Sequence, residues 1–209
     1  VIFNKPDPVK GEIFQPLAIV PAITMNIDQP VYVYSDNTAK SILVHLKAWK
    51  ENLSGSLNIR VPEGWIVKGN PGNISFQSAG DERQVDIELI PPAFPSEGYV
   101  ELEFVTMNGK YNKRLDVIDY DHIPRQYVLR HSASKVVKLD LKKEGELIGY
   151  IEGAGDRIPF ALRQMGYEVR TLTDKEILAD DLEEYDAIIT GVRAYNTNER
   201  ISAYQPHLL

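Results

Sequence analysis

Across residues 17–118 apolar and polar positions alternate with a period of two. Ile42, Val44, Leu46 and Ala48 alternate with Leu43, His45, Lys47 and Trp49, and Leu57, Ile59 and Val61 with Asn58 and Arg60. Val85, Ile87 and Leu89 alternate with Asp86 and Glu88, and Val100, Leu102 and Phe104 with Glu101 and Glu103, before Leu115 and Val117 close the series. Each run predicts a strand with one apolar and one solvated face, the habit of antiparallel sheets. Turn chemistry separates the runs, at Asp36-Asn37, at 53–56, at Pro62-Glu63-Gly64, at 70–73, at Ala79-Gly80-Asp81 and at Asn108-Gly109. Asn108-Gly109 predicts a type I′ hairpin with both central residues at positive φ. About seven short strands over roughly a hundred residues predict an immunoglobulin-like β-sandwich. An N-terminal extension, 1–16, precedes it.

The period then changes. Residues 119–146 read as a connector carrying two short strands, 126–129 and 135–141, with Ser132-Ala133-Ser134 turning between them. Leu147-Ile148-Gly149-Tyr150-Ile151 is an apolar run of the kind buried on both faces of a parallel sheet. Asp156 is placed to cap a helix with Pro159 in its first turn, Ile158, Ala161, Leu162 and Met165 share one helical face, and Gly166 stops it. A second strand over 167–172, a short helix capped by Thr173 or Asp174, and a third strand over 186–191 complete a βαβαβ unit, parallel with right-handed crossovers. Asn196 is placed to cap one more helix. Residues 147–209 thus predict the opening, incomplete part of an α/β domain, and the native polypeptide is expected to continue beyond Leu209. The start at Val1 likewise predicts a processed product or an excised segment.

Charge and composition narrow the partners. Lys and Arg number 23 and Asp and Glu 30, a net charge of −7, divided as 11 against 14 up to Ile118 and 12 against 16 after it. Neither half carries the positive excess that phosphate-backbone binding needs, so no nucleic-acid partner is expected. A hydrophobic fraction of 43% with 25% charged residues is globular. Apolar runs fall well short of the roughly 20 residues of a membrane-spanning helix, so no membrane insertion is expected. Cysteine is absent, which removes disulfides, thiolate nucleophiles and Cys-type zinc sites.

Ligands of open α/β sheets sit beyond the carboxyl ends of the strands. Those ends carry Glu152, Asp156 and Arg157 after the first strand of the unit, and Arg193, Tyr195 and Asn196 after the third. Glu152, Asp156, Arg157, Arg193 and Asn196 are therefore the candidate ligand-binding set. The competing reading is an ion pair of Arg157 or Arg193 with Glu152 or Asp156 that holds the loops. Gly153-Ala154-Gly155 is either a tight strand-to-helix turn or part of a nucleotide loop, but the third glycine of the dinucleotide fingerprint is missing. Asp119, Asp121 and His122 are either metal ligands or interdomain hydrogen-bonding groups. No Gly-x-Ser-x-Gly elbow accompanies Ser132 or Ser134. Aromatic residues on a sheet can stack on the apolar C–H face of a sugar, and Trp65 and Tyr99 are the carbohydrate-contact candidates.

Two resemblances add to this reading. The stretch from Leu57 through Val61-Pro62-Glu63-Gly64-Trp65 resembles the V-x-V-P-x-G-W strand-and-turn of immunoglobulin-like domains that accompany bacterial glycan-processing enzymes. Pro62 ends the ladder, Gly64 makes the turn, and Trp65 folds back over the sandwich end. The run Gly149-Tyr150-Ile151-Glu152-Gly153-Ala154-Gly155-Asp156-Arg157-Ile158-Pro159, with Tyr185-Asp186-Ala187-Ile188-Ile189-Thr190-Gly191-Val192-Arg193-Ala194-Tyr195-Asn196 and Tyr120-Asp121-His122-Ile123-Pro124, resembles the C-terminal region of Bacteroidetes multidomain LmbE/PIG-L-type deacetylases. In that family a zinc-dependent N-terminal domain deacetylates N-acetylglucosamine-type substrates, and a sandwich and a flavodoxin-like, glutamine-amidotransferase-like α/β domain follow.

The resemblance implies that the catalytic zinc domain lies upstream of Val1, because the family's His-Pro-x-Asp-Asp motif is missing from these residues. No cofactor is then expected in this chain, and its partner is the upstream catalytic domain of the same polypeptide, with glycan as a further contact. The amidotransferase-like nucleophilic Cys is also missing, so glutaminase activity is not assigned and no catalytic residue is named. The loop after Gly191 would fall near an oxyanion-type loop, which singles out Arg193. The expected role is a non-catalytic accessory segment of a periplasmic or extracellular deacetylase. The alternative is a ligand-binding or interaction module built on the α/β domain.

Overall fold

The computed structural model describes residues 2–8, 11–69, 71–120, 122–179 and 182–208. The chain is predominantly β and falls into two compact units. One takes the residues up to Tyr32 with Asn37–Val137, and the other Val33–Asp36 with the residues from Lys138 on.

In the first unit, β1 (Ile2–Asp7) and β2 (Gly11–Pro16) pair antiparallel within the segment expected as a plain extension. There follow β3 (Ile23–Ile27), β4 (Val31–Tyr34), β5 (Lys40–Ala48), β6 (Leu53–Arg60), β7 (Ile66–Lys68), β8 (Asn73–Phe76) and β9 (Glu82–Ile90). Then come β10 (Ser96–Thr106), β11 (Gly109–Tyr111), β12 (Lys113–Ile118), β13 (Gln126–His131) and β14 (Ala133–Lys138). One sheet has the order β3-β5-β9-β7, and another β4-β14-β10-β6-β8 with β11 on β10. The apolar parity of the predicted runs is the buried one: Ile42, Val44, Leu46 and Ala48 of β5, Ile87 and Leu89 of β9, and Val100, Leu102 and Phe104 of β10. Phe104 meets Phe76 edge-on with ring centroids 6.3 Å apart. The result is a sandwich-like fold.

Two expectations are corrected here. The stretch 119–146 is not a simple connector, because β12 pairs with β13 and β14 lies between β4 and β10 inside the larger sheet. Its inward parity is polar, which disguised it: Ser132 and Ser134 are buried beside Val136. Ser132 Oγ donates to the Met25 carbonyl at 2.6 Å and Ser134 Oγ to that of Gln29, so both hydroxyls are satisfied without water. The hairpin at Asn108-Gly109 is also shifted. Gly109 is already paired with Thr106, leaving Met107-Asn108 as the loop. Asn108 N–H donates to Thr106 Oγ1 at 3.1 Å, and that hydroxyl donates to the Gly109 carbonyl at 3.0 Å. A threonine-based turn replaces the type I′ geometry.

The Pro62–Trp65 segment closes as a turn with Trp65 N–H on the Pro62 carbonyl at 3.2 Å and Gly64 at φ +83°. That positive φ at the third position is the type II requirement, which only glycine meets without strain.

The second unit contains β15 (Leu147–Ile151), α1 (Ile158–Gln164), β16 (Glu168–Thr171), α2 (Asp174–Leu178), β17 (Ala187–Thr190), α3 (Ala194–Thr197) and α4 (Ile201–Tyr204). The three strands are parallel in the order β16-β15-β17. Ile148, Tyr150 and Val169 pack with Ile158 and Leu162 of α1, while Ile151 and Leu172 pack with Ile177, Ala194, Ile201 and Tyr204 from the other helices. The strand β15 is thus buried on both faces, as its continuous apolar run requires. Among the described residues, no helix is long and apolar enough to cross a membrane.

Candidate functional site

The rim beyond β15 and β17 is organised by Asp156. Its carboxylate accepts the Tyr150 hydroxyl at 2.8 Å, the Ile158 N–H at 2.9 Å and the Val192 N–H at 2.7 Å. The first amide lies at the start of α1 and the second in the loop after β17, so one side chain makes an Asx-type turn into the helix and ties two loops together; the cap position itself is taken by Arg157, not by Asp156 as expected. The amides of Val192 and Ile158, followed by the Tyr150 hydroxyl, hold the Asp156 carboxyl below the usual carboxylate range. Burial, and then the Asp156 hydrogen bond, push the Tyr150 phenol up to about 12.

The loops touch closely. Ala154 N–H donates to the Val192 carbonyl at 2.8 Å. A Cβ on Gly153 would press into that carbonyl and lie 2.8 Å from the Gly191 carbonyl carbon. Gly153 is therefore required by loop–loop packing, the tight-turn reading of Gly153-Ala154-Gly155.

The remaining candidates do not converge as one pocket. Asp156 binds backbone and phenol, and the Arg157 guanidinium lies 4.9 Å from the Phe160 ring centroid. Arg193 occupies the left-handed region (φ 58°, ψ 22°) and starts α3, with its side chain exposed. That early start places Asn196 inside α3 rather than at a cap, exposed, with its N–H on the Arg193 carbonyl. Glu152 instead faces an open cleft of about 450 Å³ whose lining includes Gly153, Asp174, Asn198 and Arg200. Asp174 accepts the Tyr204 hydroxyl and the Arg200 guanidinium, which hold its carboxyl low in that order of importance. Sequence reading missed this cluster because α2 and α4 are brought together only by packing.

The carbohydrate candidates separate. Trp65 is 5% exposed, with Nε1–H on Ser96 Oγ at 3.1 Å, so its ring is packing surface and offers no face to a sugar. Tyr99 is 58% exposed. Of the third cluster, Asp121 lies outside the described residues, Asp119 pairs with Arg125, and His122 stacks on Tyr120 at 5.8 Å. Among the described residues no group of three or more His, Asp or Glu side chains is arranged to hold a metal ion. Neither a protein-family model nor a curated protein sequence matches the chain.

Proposed function

We propose that this chain is a non-catalytic accessory segment of a zinc-dependent N-acetylglucosamine-type deacetylase of the LmbE/PIG-L kind, acting outside the cytoplasm. In this reading the first unit is an immunoglobulin-like module and the second the opening of a flavodoxin-like, amidotransferase-like domain; together they position the catalytic domain and contact glycan. The observation that carries the non-catalytic part is Asp156. The carboxylate at the meeting point of the parallel strand ends is engaged by a phenol and two backbone amides, so it serves to hold loops. The link to a deacetylase rests on the three sequence stretches around Tyr120, Tyr150 and Ile189. Zinc would belong to the upstream domain and its His-Pro-x-Asp-Asp motif.

Acetate release from N-acetylglucosamine oligosaccharides tests this, measured on the native polypeptide with and without residues 1–209. Activity that survives the deletion, with a reduced rate on longer oligosaccharides, is the expected result. Acetate release by the 209-residue chain alone overturns the non-catalytic reading, and a native reading frame without the zinc motif overturns the deacetylase link.

A second reading, a ligand-binding module on the α/β unit, is favoured by the cleft at Glu152, Asp174 and Arg200. Stabilisation of the chain by a small ligand that is lost in Arg200→Ala would support it.

A further inference from the structure

A groove of the first unit lies on the solvated side of the β3-β5-β9 sheet and has no part in the sites above. Cross-strand register builds its floor. Thr24, Lys47 and Glu82 are directly opposite one another across the three strands, and Asn26, His45 and Gln84 form the next row. Met25, Val44 and Leu46, of the other parity, are buried in the sandwich core. Along β3 runs β12, held by the Asn26 amide, whose Nδ2 donates to the Leu115 carbonyl at 3.1 Å while its Oδ1 accepts the Leu115 N–H at 3.4 Å. The Asn26 side chain thus links the two strands, and beside it lies a groove of about 380 Å³ whose lining includes Leu115 and Val117. That volume lies within the range of small-molecule sites.

Trp49 closes one end. Its Nε1–H donates to Thr24 Oγ1 at 3.0 Å, and Lys47 Nζ stands 5.0 Å from the ring centroid, so the half-buried indole is fixed before any ligand arrives. Pre-fixed aromatics bind at low entropic cost. Lys47 is neutralised by Glu82 at 2.8 Å, and Gln84 Nε2 contacts His45 Nδ1 at 3.3 Å, which orients both side chains. The groove therefore combines a rigid indole, two apolar wall residues, an amide and an imidazole. Of its two cations, Lys47 is paired with Glu82 and Arg83 lies close enough to Asp81 to lower that carboxyl. A phosphate or polyanion would meet at most the Arg83 guanidinium there, because Lys47 is held by Glu82. A ligand with alternating apolar C–H faces and hydroxyl edges matches every wall.

We propose that this groove is a binding site for a neutral saccharide, with a sugar face against Trp49, Leu115 and Val117 and hydroxyls toward His45 and Gln84. It deepens the glycan-contact part of the function above, and rests on that reading only for the choice of an N-acetylated probe. The acetate-release assay judges the deacetylase link; the following measurement reads the groove alone.

The full chain, labelled with ¹⁵N, is titrated with chitotriose and, separately, with cellotriose. The expected result is a saturable shift of the Trp49 indole N–H and of the His45, Gln84 and Leu115 amides with at least one of the two sugars. Trp49→Ala should weaken binding about tenfold, or ~1.4 kcal/mol. Gln84→Ala, an exposed change that leaves the core untouched, should weaken it about fivefold. Absence of a saturable shift with both sugars overturns the proposal, as do shifts centred on Tyr99 that persist in Trp49→Ala.

Discussion

Asp156 shows how much a single side chain can organise. Its carboxylate gathers a phenol and two amides from β15, the start of α1 and the loop after β17. Asp156→Ala strips all three donors of their acceptor and should lower the urea midpoint more than Asp156→Asn, which keeps one acceptor oxygen. Tyr150 reports on the same contact. Burial and Asp156 raise its phenol to about 12, so the protonated form is the one the fold favours, and the associated stability is lost as pH rises through that value. Tyr34, Tyr185 and Tyr204 are raised as well, so the expected result is a difference: Tyr150→Phe should remove one tyrosine's worth of phenolate absorbance from the late-titrating part of the curve. Gly153 is the steric counterpart. A methyl group there meets the backbone of Gly191 and Val192, which cannot swing aside, and Gly153→Ala should cost about 1–3 kcal/mol in denaturant unfolding.

At the scale of elements, the β10–β11 turn depends on a hydroxyl. Thr106 Oγ1 accepts from Asn108 N–H and donates to the Gly109 carbonyl, so Thr106→Val should cost about 1 kcal/mol while Thr106→Ser retains most of it, as read from unfolding midpoints. The strand β10 contributes Phe104 to the sandwich core, fully buried and edge-on to Phe76. Phe104→Ala should cost about 3–5 kcal/mol by the same measurement. In α2, Glu176 reaches back to the Thr173 N–H at 2.7 Å, a capping box that compensates for a helix of five residues.

At the scale of the whole molecule, the two units should respond differently to acid. Asp156, Asp174 and Asp186, all in the second unit, are each held below the ordinary carboxylate range, by the Val192 and Ile158 amides, by Tyr204 and Arg200, and by the Glu146 and Leu147 amides respectively. The depressed carboxyls of the first unit, Asp81 (Ser78 and Gln77 amides) and Glu82 (Lys47), lie in a turn and at the exposed start of β9, next to the end of β5 and in another sheet from β10. A depressed folded pKa contributes stability that is present above the unfolded value of about 4 and lost as pH falls through the folded one. Amide exchange across β15, β16 and β17 should therefore accelerate on acidification below about pH 4 before that of the buried strands β5 and β10. Equal acceleration in both units would contradict this account.

The alternation of Ile42 to Ala48 or Val100 to Phe104 was legible because the strand period belongs to the backbone itself, and the run 147–151 because burial on both faces leaves no polar parity. The helix at 158–164 and the Thr173 cap were legible for the same local reason. What lay beyond reach was set by partners distant in the chain. Ser132 and Ser134 face a core because carbonyls more than a hundred residues away satisfy them, so they read as a turn and the strand expected over 135–141 was not assigned to the sandwich. Trp65 and Trp49 look alike as letters, yet one is packed under Ser96 and the other stands at a groove, although an indole that continues the solvated parity of β5 just past its end was itself a signal. The pairing of Asp156 with Val192 spans 36 positions, and it is what ties the two loops together. Local periodicity, turns and caps were written in neighbouring residues, whereas burial of polar groups and the accessibility of each aromatic ring depend on which distant surfaces meet them.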